Sequence, residues 1–194
     1  MGDFQARSVE LLGSFRIESP VAEAFELFSP LGETRWVPGW SPELLHPPAA
    51  TWERGLVFRT REERGEAIWV VTQLDREGHA VEYHRVEAGR YVARVAVRCA
   101  PRGEQETDVQ VAYTFVGLSE TGNAEIAFMT PEAYEQKMER WKVWITGHLR
   151  LRPPSASGGR RLGGGGPRAS RPARGAARRP SARDGARRGS RSRS

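Results

Sequence analysis

Residues 131–149 read PEAYEQKMERWKVWITGHL, and this stretch decides the fold. Tyr134, Met138, Trp141, Ile145 and His148 or Leu149 recur at i, i+4, i+7 and i+11, which is one apolar stripe on a helical repeat. Thr130 and Pro131 form a capping pair at the start, and Glu132 and Glu135 suit the positive end of the helix dipole. A helix with one apolar stripe must lay that stripe on another element. Its partner lies upstream. In YVARVAVRC, residues 91–99, Tyr91, Ala93, Val95, Val97 and Cys99 fall on one side, and Val92, Arg94, Ala96 and Arg98 on the other. Val109, Val111, Tyr113 and Phe115 continue the apolar side on the next strand. Phe58 joins it from an earlier one, because the opposite phase would turn Arg59 inward.

Working outward, a strand is expected over residues 11–18. Ser19 and Pro20 then read as N-cap and first residue of a helix through VAEAFELFS, with Ala24, Phe25 and Phe28 on one face. Pro30, Pro38, Pro42, Pro47 and Pro48 break the next twenty residues into turns. Five β-patterned runs follow, near 55–61, 66–74, 79–87, 90–100 and 106–118, before the long helix. An antiparallel sheet with one apolar face and a helix with a matching stripe cover each other, so the class is α+β.

Charge divides the chain. Of 194 residues, 30 are Lys or Arg and 24 are Asp or Glu, but residues 151–194 hold thirteen Arg against Asp184 alone. The net charge is therefore +12 in that tail and −6 in residues 1–150, which excludes a basic nucleic-acid-binding body. All 17 aromatics, the four His and the one cysteine, Cys99, lie in the body, which is long enough to bury a core. The tail, built from Arg, Gly, Ala, Ser and Pro, cannot offset its ordering entropy and is expected to be disordered. It reads either as a solvated extension or as an arm with weak, non-specific affinity for polyanions. A lone cysteine excludes a disulfide framework and a cysteine-built zinc site and fits a reducing compartment. With no long apolar run and no signal-peptide pattern, membrane insertion is not expected and the location is read as cytoplasmic.

The order of elements, together with WVPGW at 36–40, VFRT at 57–60, WVVTQLD at 69–75 and GLSETGN at 117–123, resembles the SRPBCC superfamily. That superfamily includes START lipid-transfer domains, polyketide cyclases and pollen-allergen-like proteins. The resemblance spans about residues 10–150. It implies a helix-grip fold, a curved antiparallel sheet wrapped around the long C-terminal helix, with a hydrophobic ligand cavity between them. It implies no shared catalytic motif.

Hairpin register decides which polar groups face that cavity. A two-residue turn at Ala88-Gly89 would oppose Glu87 to Arg90, His84 to Ala93 and Glu82 to Val95. Glu82 and His84 then point inward among Trp69, Val71, Tyr91, Ala93 and Tyr113, placed to hydrogen-bond a ligand or exchange a proton. A bulge would bring Tyr83 and Arg85 inward in their place. The expected ligand-facing set is Phe58, Trp69, Val71, Glu82, His84, Tyr91, Ala93, Val95, Tyr113 and Phe115 from the sheet, with Tyr134, Met138 and Trp141 from the helix. Glu82 and His84 are the catalytic candidates.

Other features carry less. His79 and His84 face opposite ways, His46 sits among prolines, and His148 lies near the helix carbonyls, so no metal site is expected. Ser119 in GLSETG reads as a helix cap, and Cys99 as a small core residue. Trp36 and Trp40 either lid the cavity or pack a short helical segment on the sheet. No metalloprotease, nucleophile-elbow or phosphate-loop sequence is present, and no cofactor is implied. Two functions remain: carriage or sensing of a small, largely hydrophobic molecule, or a cofactor-independent cyclase- or dehydratase-like activity using Glu82 or His84. The ligand and the oligomeric state are not encoded legibly.

Overall fold

A computed structural model describes residues 3–48, 51–62 and 65–151. The tail expected from residue 151 onward lies, apart from Leu151, outside the described residues.

The elements in chain order are β1 (Ser8–Ile17), α1 (Val21–Glu26), α2 (Pro30–Glu33), β2 (Glu43–His46), β3 (Val57–Glu62), β4 (Gly65–Asp75), β5 (Ala80–Glu87), β6 (Tyr91–Gly103), β7 (Glu106–Gly117), α3 (Glu120–Ile126) and α4 (Pro131–Leu151). The seven strands form one antiparallel sheet in the order β1-β7-β6-β5-β4-β3-β2. Every neighbour after β2 is a hairpin partner, and β1 returns to close the far edge on β7. Register shifts at Leu44/His46, Val71/Gln73 and Pro101/Gly103 interrupt the ladders, and bulges of this kind bend a sheet. The curved sheet covers α4, as the helix-grip expectation requires.

The concave face is the one that alternation assigns: Tyr91, Ala93, Val95, Val97 and Cys99 of β6 and Val109, Val111, Tyr113 and Phe115 of β7 are all buried. Phe58 and Trp69, directly opposed on β3 and β4, stack with ring centroids 5.6 Å apart. Helix α4 lies on this face with Tyr134, Met138 and Ile145 buried, and the Tyr134 hydroxyl donates to the Val111 carbonyl at 2.9 Å. Gly13 of β1 makes the approach close: a Cβ there would stand 2.6 Å from Met138 Cγ and 2.9 Å from the Tyr134 ring.

Three expectations need correction. Pro20 is the N-cap of α1, not its first residue; its extended backbone (ψ 143°) precedes the first helical turn, and no side chain caps it. The capping pattern expected at Ser19-Pro20 occurs instead at Ser29-Pro30, where the Ser29 hydroxyl accepts from the Gly32 N–H at 2.9 Å. Strand β2 forms within the proline-broken stretch, its ends bounded by Pro42 and Pro47. The β5–β6 register is the most consequential. Residues 88–90 form a three-residue turn with Gly89 at φ 72°, so Glu87 pairs with Tyr91, His84 with Arg94 and Glu82 with Ala96. One additional loop residue reverses every side chain of β5 relative to the two-residue reading. Ser119 caps α3 as expected, accepting from the Gly122 N–H at 3.0 Å.

Gly13 gives the first prediction. Gly13→Ala should destabilise the fold by about 1–3 kcal/mol, the usual cost of forcing volume into a packed contact. The measurement is chemical denaturation; an unchanged midpoint would show that α4 does not approach β1 this closely.

Candidate functional site

Between the sheet, α2, α4 and the 37–41 loop lies a cavity of about 280 Å³. Its floor is Val95 and Val97 of β6. Phe58 and Thr60 of β3, Trp69 of β4, Tyr83 and Arg85 of β5 and Tyr113 of β7 form the sheet wall. Phe28, Pro30 and Glu33 close one side, and Lys137 and Trp141 of α4 another. Val37, Pro38, Gly39, Trp40, Ser41 and Arg61 surround the mouth. Pro38, Gly39, Ser41 and Arg61 are exposed, so this is the end that meets solvent.

The walls are fixed by hydrogen bonds from polar ends of aromatic side chains. Tyr83 donates to the Phe28 carbonyl at 2.7 Å, anchoring the turn after α1 to β5. Trp69 Nε1 donates to Thr60 Oγ1 at 3.0 Å. The two tryptophans of WVPGW divide the roles considered for them. Trp36 is buried, donates to the Leu27 carbonyl at 2.7 Å and meets Trp141 edge-on at 5.3 Å, so it packs α2 against α4. Trp40 donates to the Pro30 carbonyl at 2.8 Å and lays its ring edge-on to Trp69 at 5.6 Å, at the cavity mouth. The turn between them closes through the Trp40 N–H on the Val37 carbonyl, 3.2 Å.

The residues expected to face a ligand separate into three groups. Phe58, Trp69, Val95, Tyr113 and Trp141 line the cavity. Val71, Tyr91, Ala93, Phe115, Tyr134 and Met138 are buried but do not line it. Aromatic packing fills that part of the concave face: Tyr113 stacks on Phe115 at 5.2 Å, and Tyr91 and Tyr134 meet that pair edge-on. Glu82 and His84 stand on the opposite face. They are neighbours there, with His84 Nδ1 3.9 Å from Glu82 Oε1, and both reach Thr72 Oγ1, at 3.1 Å from Glu82 Oε1 and 3.2 Å from His84 Nδ1. Glu82 Oε2 accepts from Arg94 Nε at 2.6 Å. Thr72 is the additional residue of the β4 bulge, which turns its hydroxyl to this side.

With the register reversed, Tyr83, Arg85 and Glu87 point inward. Arg85 pairs with Glu87, which also takes Arg90 and the Tyr91 hydroxyl; Arg90 in turn binds Glu125 of α3, Nε to Oε2 at 2.8 Å. The Arg85 guanidinium lies 5.2 Å from the centre of the Trp69 ring. Charge in this chain is matched two against two, as buried ions require.

Glu33 and Lys137 had no place in the sequence reading. Glu33 ends α2, its backbone held on both sides by Glu33 N–H to Ser29 O at 3.0 Å and Val37 N–H to Glu33 O at 2.9 Å. Burial pushes its carboxyl up to about 8, against the opposing pull of the Lys137 charge. Lys137 Nζ stands 4.3 Å from the centre of the Tyr113 ring and 5.2 Å from that of Trp141. A signal for Lys137 existed: it lies three residues after Tyr134 and four before Trp141, on the stripe itself. For Glu33, in a single helical turn, there was none. Desolvation also raises the Tyr83 and Tyr113 hydroxyls, which stay protonated, and lifts the Cys99 thiol to about 12, where it is no nucleophile. Among the described residues no three His, Cys, Asp or Glu converge as metal ligands, and no helix is long and apolar enough to cross a membrane.

Glu33 should leave a trace in stability. Its folded carboxyl holds a proton that the unfolded chain, with the ordinary value of 4.5, has given up. The stabilisation is full below that value and is lost as pH rises through about 8. Denaturation at a series of pH values should show stability falling across this window in the wild type and a flatter profile in Glu33→Gln. Parallel profiles would show that Glu33 is solvated.

Compared by sequence, the chain matches no family model and no curated protein. Compared by structure, it is similar to norcoclaurine synthase from Thalictrum flavum in complex with dopamine and hydroxybenzaldehyde, at 10% identity and a TM-score of 0.55, covering 76% of this chain and 90% of that one. It is similar to ginseng major latex-like protein 151 from Panax ginseng, at 18% identity and a TM-score of 0.56, covering 73% and 97%. A hypothetical protein from Helicobacter pylori gives 7% identity and a TM-score of 0.58, covering 72% and 87%. At such identities the likeness is one of fold, and it agrees with the element order, the curved antiparallel sheet and the covered helix described above: the chain has a helix-grip fold.

Proposed function

We propose that residues 1–150 bind a small, largely apolar molecule between the sheet and the C-terminal helix, as a carrier or sensor. One observation carries the reading: the concave face is packed by aromatic rings at one end, yet encloses about 280 Å³ beneath an exposed loop at the other. Ligand pockets commonly start near 300 Å³ and are apolar with a few placed polar groups. This cavity fits that description at the small end, with aromatic walls and polar groups that include Thr60, Arg61, Arg85, Glu33 and Lys137. Norcoclaurine synthase, which shares the fold, is described with two single-ring molecules bound. The competing cyclase-like reading placed proton transfer on Glu82 and His84, and these stand on the face away from the cavity. The tail adds, by charge alone, a weak and salt-sensitive affinity for polyanions.

The test uses the neutral fluorophore N-phenyl-1-naphthylamine. It should bind one to one and quench tryptophan emission, since Trp40, Trp69 and Trp141 stand in the cavity wall. Val95→Phe, which fills the floor, should weaken binding at least about tenfold while the melting temperature changes little, because empty space accepts volume that a packed core rejects. Unchanged binding in a folded Val95→Phe protein would place the probe elsewhere.

A further inference from the structure

The charges around the cavity oppose those of the body. Residues 1–150 carry −6, but the cavity lining holds three cations, Arg61, Arg85 and Lys137, and one acid, Glu33. These groups come from different elements: Arg61 from β3 at the rim, Arg85 from β5, Lys137 from α4 and Glu33 from α2. Arg85 is matched by Glu87, itself matched within the Arg90–Glu125 chain. Lys137 is positioned by the faces of Tyr113 and Trp141, so its ammonium sits over the aromatic wall at the cavity's side.

We propose that the cavity takes an aromatic molecule bearing an acidic group, and that this anion binds at the Lys137 end of the cavity, beside Glu33. The proposal rests on the ligand-binding reading above and specifies its chemistry. Lys137 supplies the charge, and the aromatic walls take the ring. Glu33 sets the pH range. Its carboxyl, held up to about 8 by burial, is uncharged near neutrality, when its O–H can donate to the anion; ionised, it repels the anion. The ionisable groups that face Glu33 from the packed elements are Lys137 of α4, Tyr83 of β5 and Tyr113 of β7. Both tyrosine hydroxyls are raised by burial and stay protonated across the range in which Glu33 changes charge.

A matched pair of probes tests this on the full chain. N-phenyl-1-naphthylamine and 8-anilinonaphthalene-1-sulfonate differ by one sulfonate, and neither changes charge between mildly acidic and mildly alkaline pH. Below pH about 7 the sulfonate should bind at least about tenfold more tightly than the neutral probe, and this preference should decline as pH rises through about 8. Lys137→Gln should abolish the preference by weakening the sulfonate far more than the neutral probe. Glu33→Gln should keep the preference and remove its pH dependence. If the neutral probe binds and the sulfonate binds no better, the anion proposal is overturned while the cavity reading stands. A sulfonate preference that survives Lys137→Gln overturns it too, placing the anion on other cations. If neither probe binds one to one, both readings fall.

Discussion

The hairpin loop at residues 88–90 sets the character of the interior. Gly89 takes the left-handed conformation, Glu87 and Tyr91 close the pair, and from that point every residue of β5 has its face assigned. A sheet has a side-chain period of two, so no partial adjustment exists. Tyr83 and Arg85 face the cavity, Glu87 faces the core, and Glu82 and His84 face away. The bulge at Thr72 is the matching device on the other side of β5, keeping Trp69 and Val71 inward across a strand whose phase would otherwise oppose them.

Given that phase, helix and sheet divide the concave face between them. Where β1 carries Gly13, α4 comes close and the space fills with Tyr134, Met138, Tyr113 and Phe115. Toward β3 and β4, the stacked Phe58–Trp69 pair and the turn bearing Trp40 hold walls apart around a residual volume. The polar groups of that volume arrive from elements far apart in sequence: Glu33 from a single helical turn, Lys137 from the long helix, Arg85 from the middle of the sheet. For Glu33, burial sets the protonation as well as the position.

What could be read from the sequence follows from which signals are periodic. The β6 alternation and the α4 stripe are long repeats: the first recurs in the structure residue for residue, and the second buries Tyr134, Met138 and Ile145 with Trp141 and Leu149 half-buried against the core. The phase of β5 was not legible, because Ala88-Gly89 suits a two-residue turn and also the first part of a three-residue one, and the two give opposite faces. Thr72 gave no sign that it would bulge. Strand β2 is four residues long among prolines, below what alternation can reveal. Lys137 lies on the stripe, but a charge in that position gives no sign of its own that it faces the interior. Ala93 shows the limit of facing as a guide: it points inward as expected and is fully buried, yet packing rather than cavity surrounds it.

The most direct measurement is the set of interstrand nuclear Overhauser contacts between β5 and β6. The account predicts backbone contacts that pair Tyr83 with Val95 and Arg85 with Ala93. Contacts pairing Glu82 with Val95 and His84 with Ala93 would contradict it, returning Glu82 and His84 to the concave face and removing Arg85 and Tyr83 from the cavity wall.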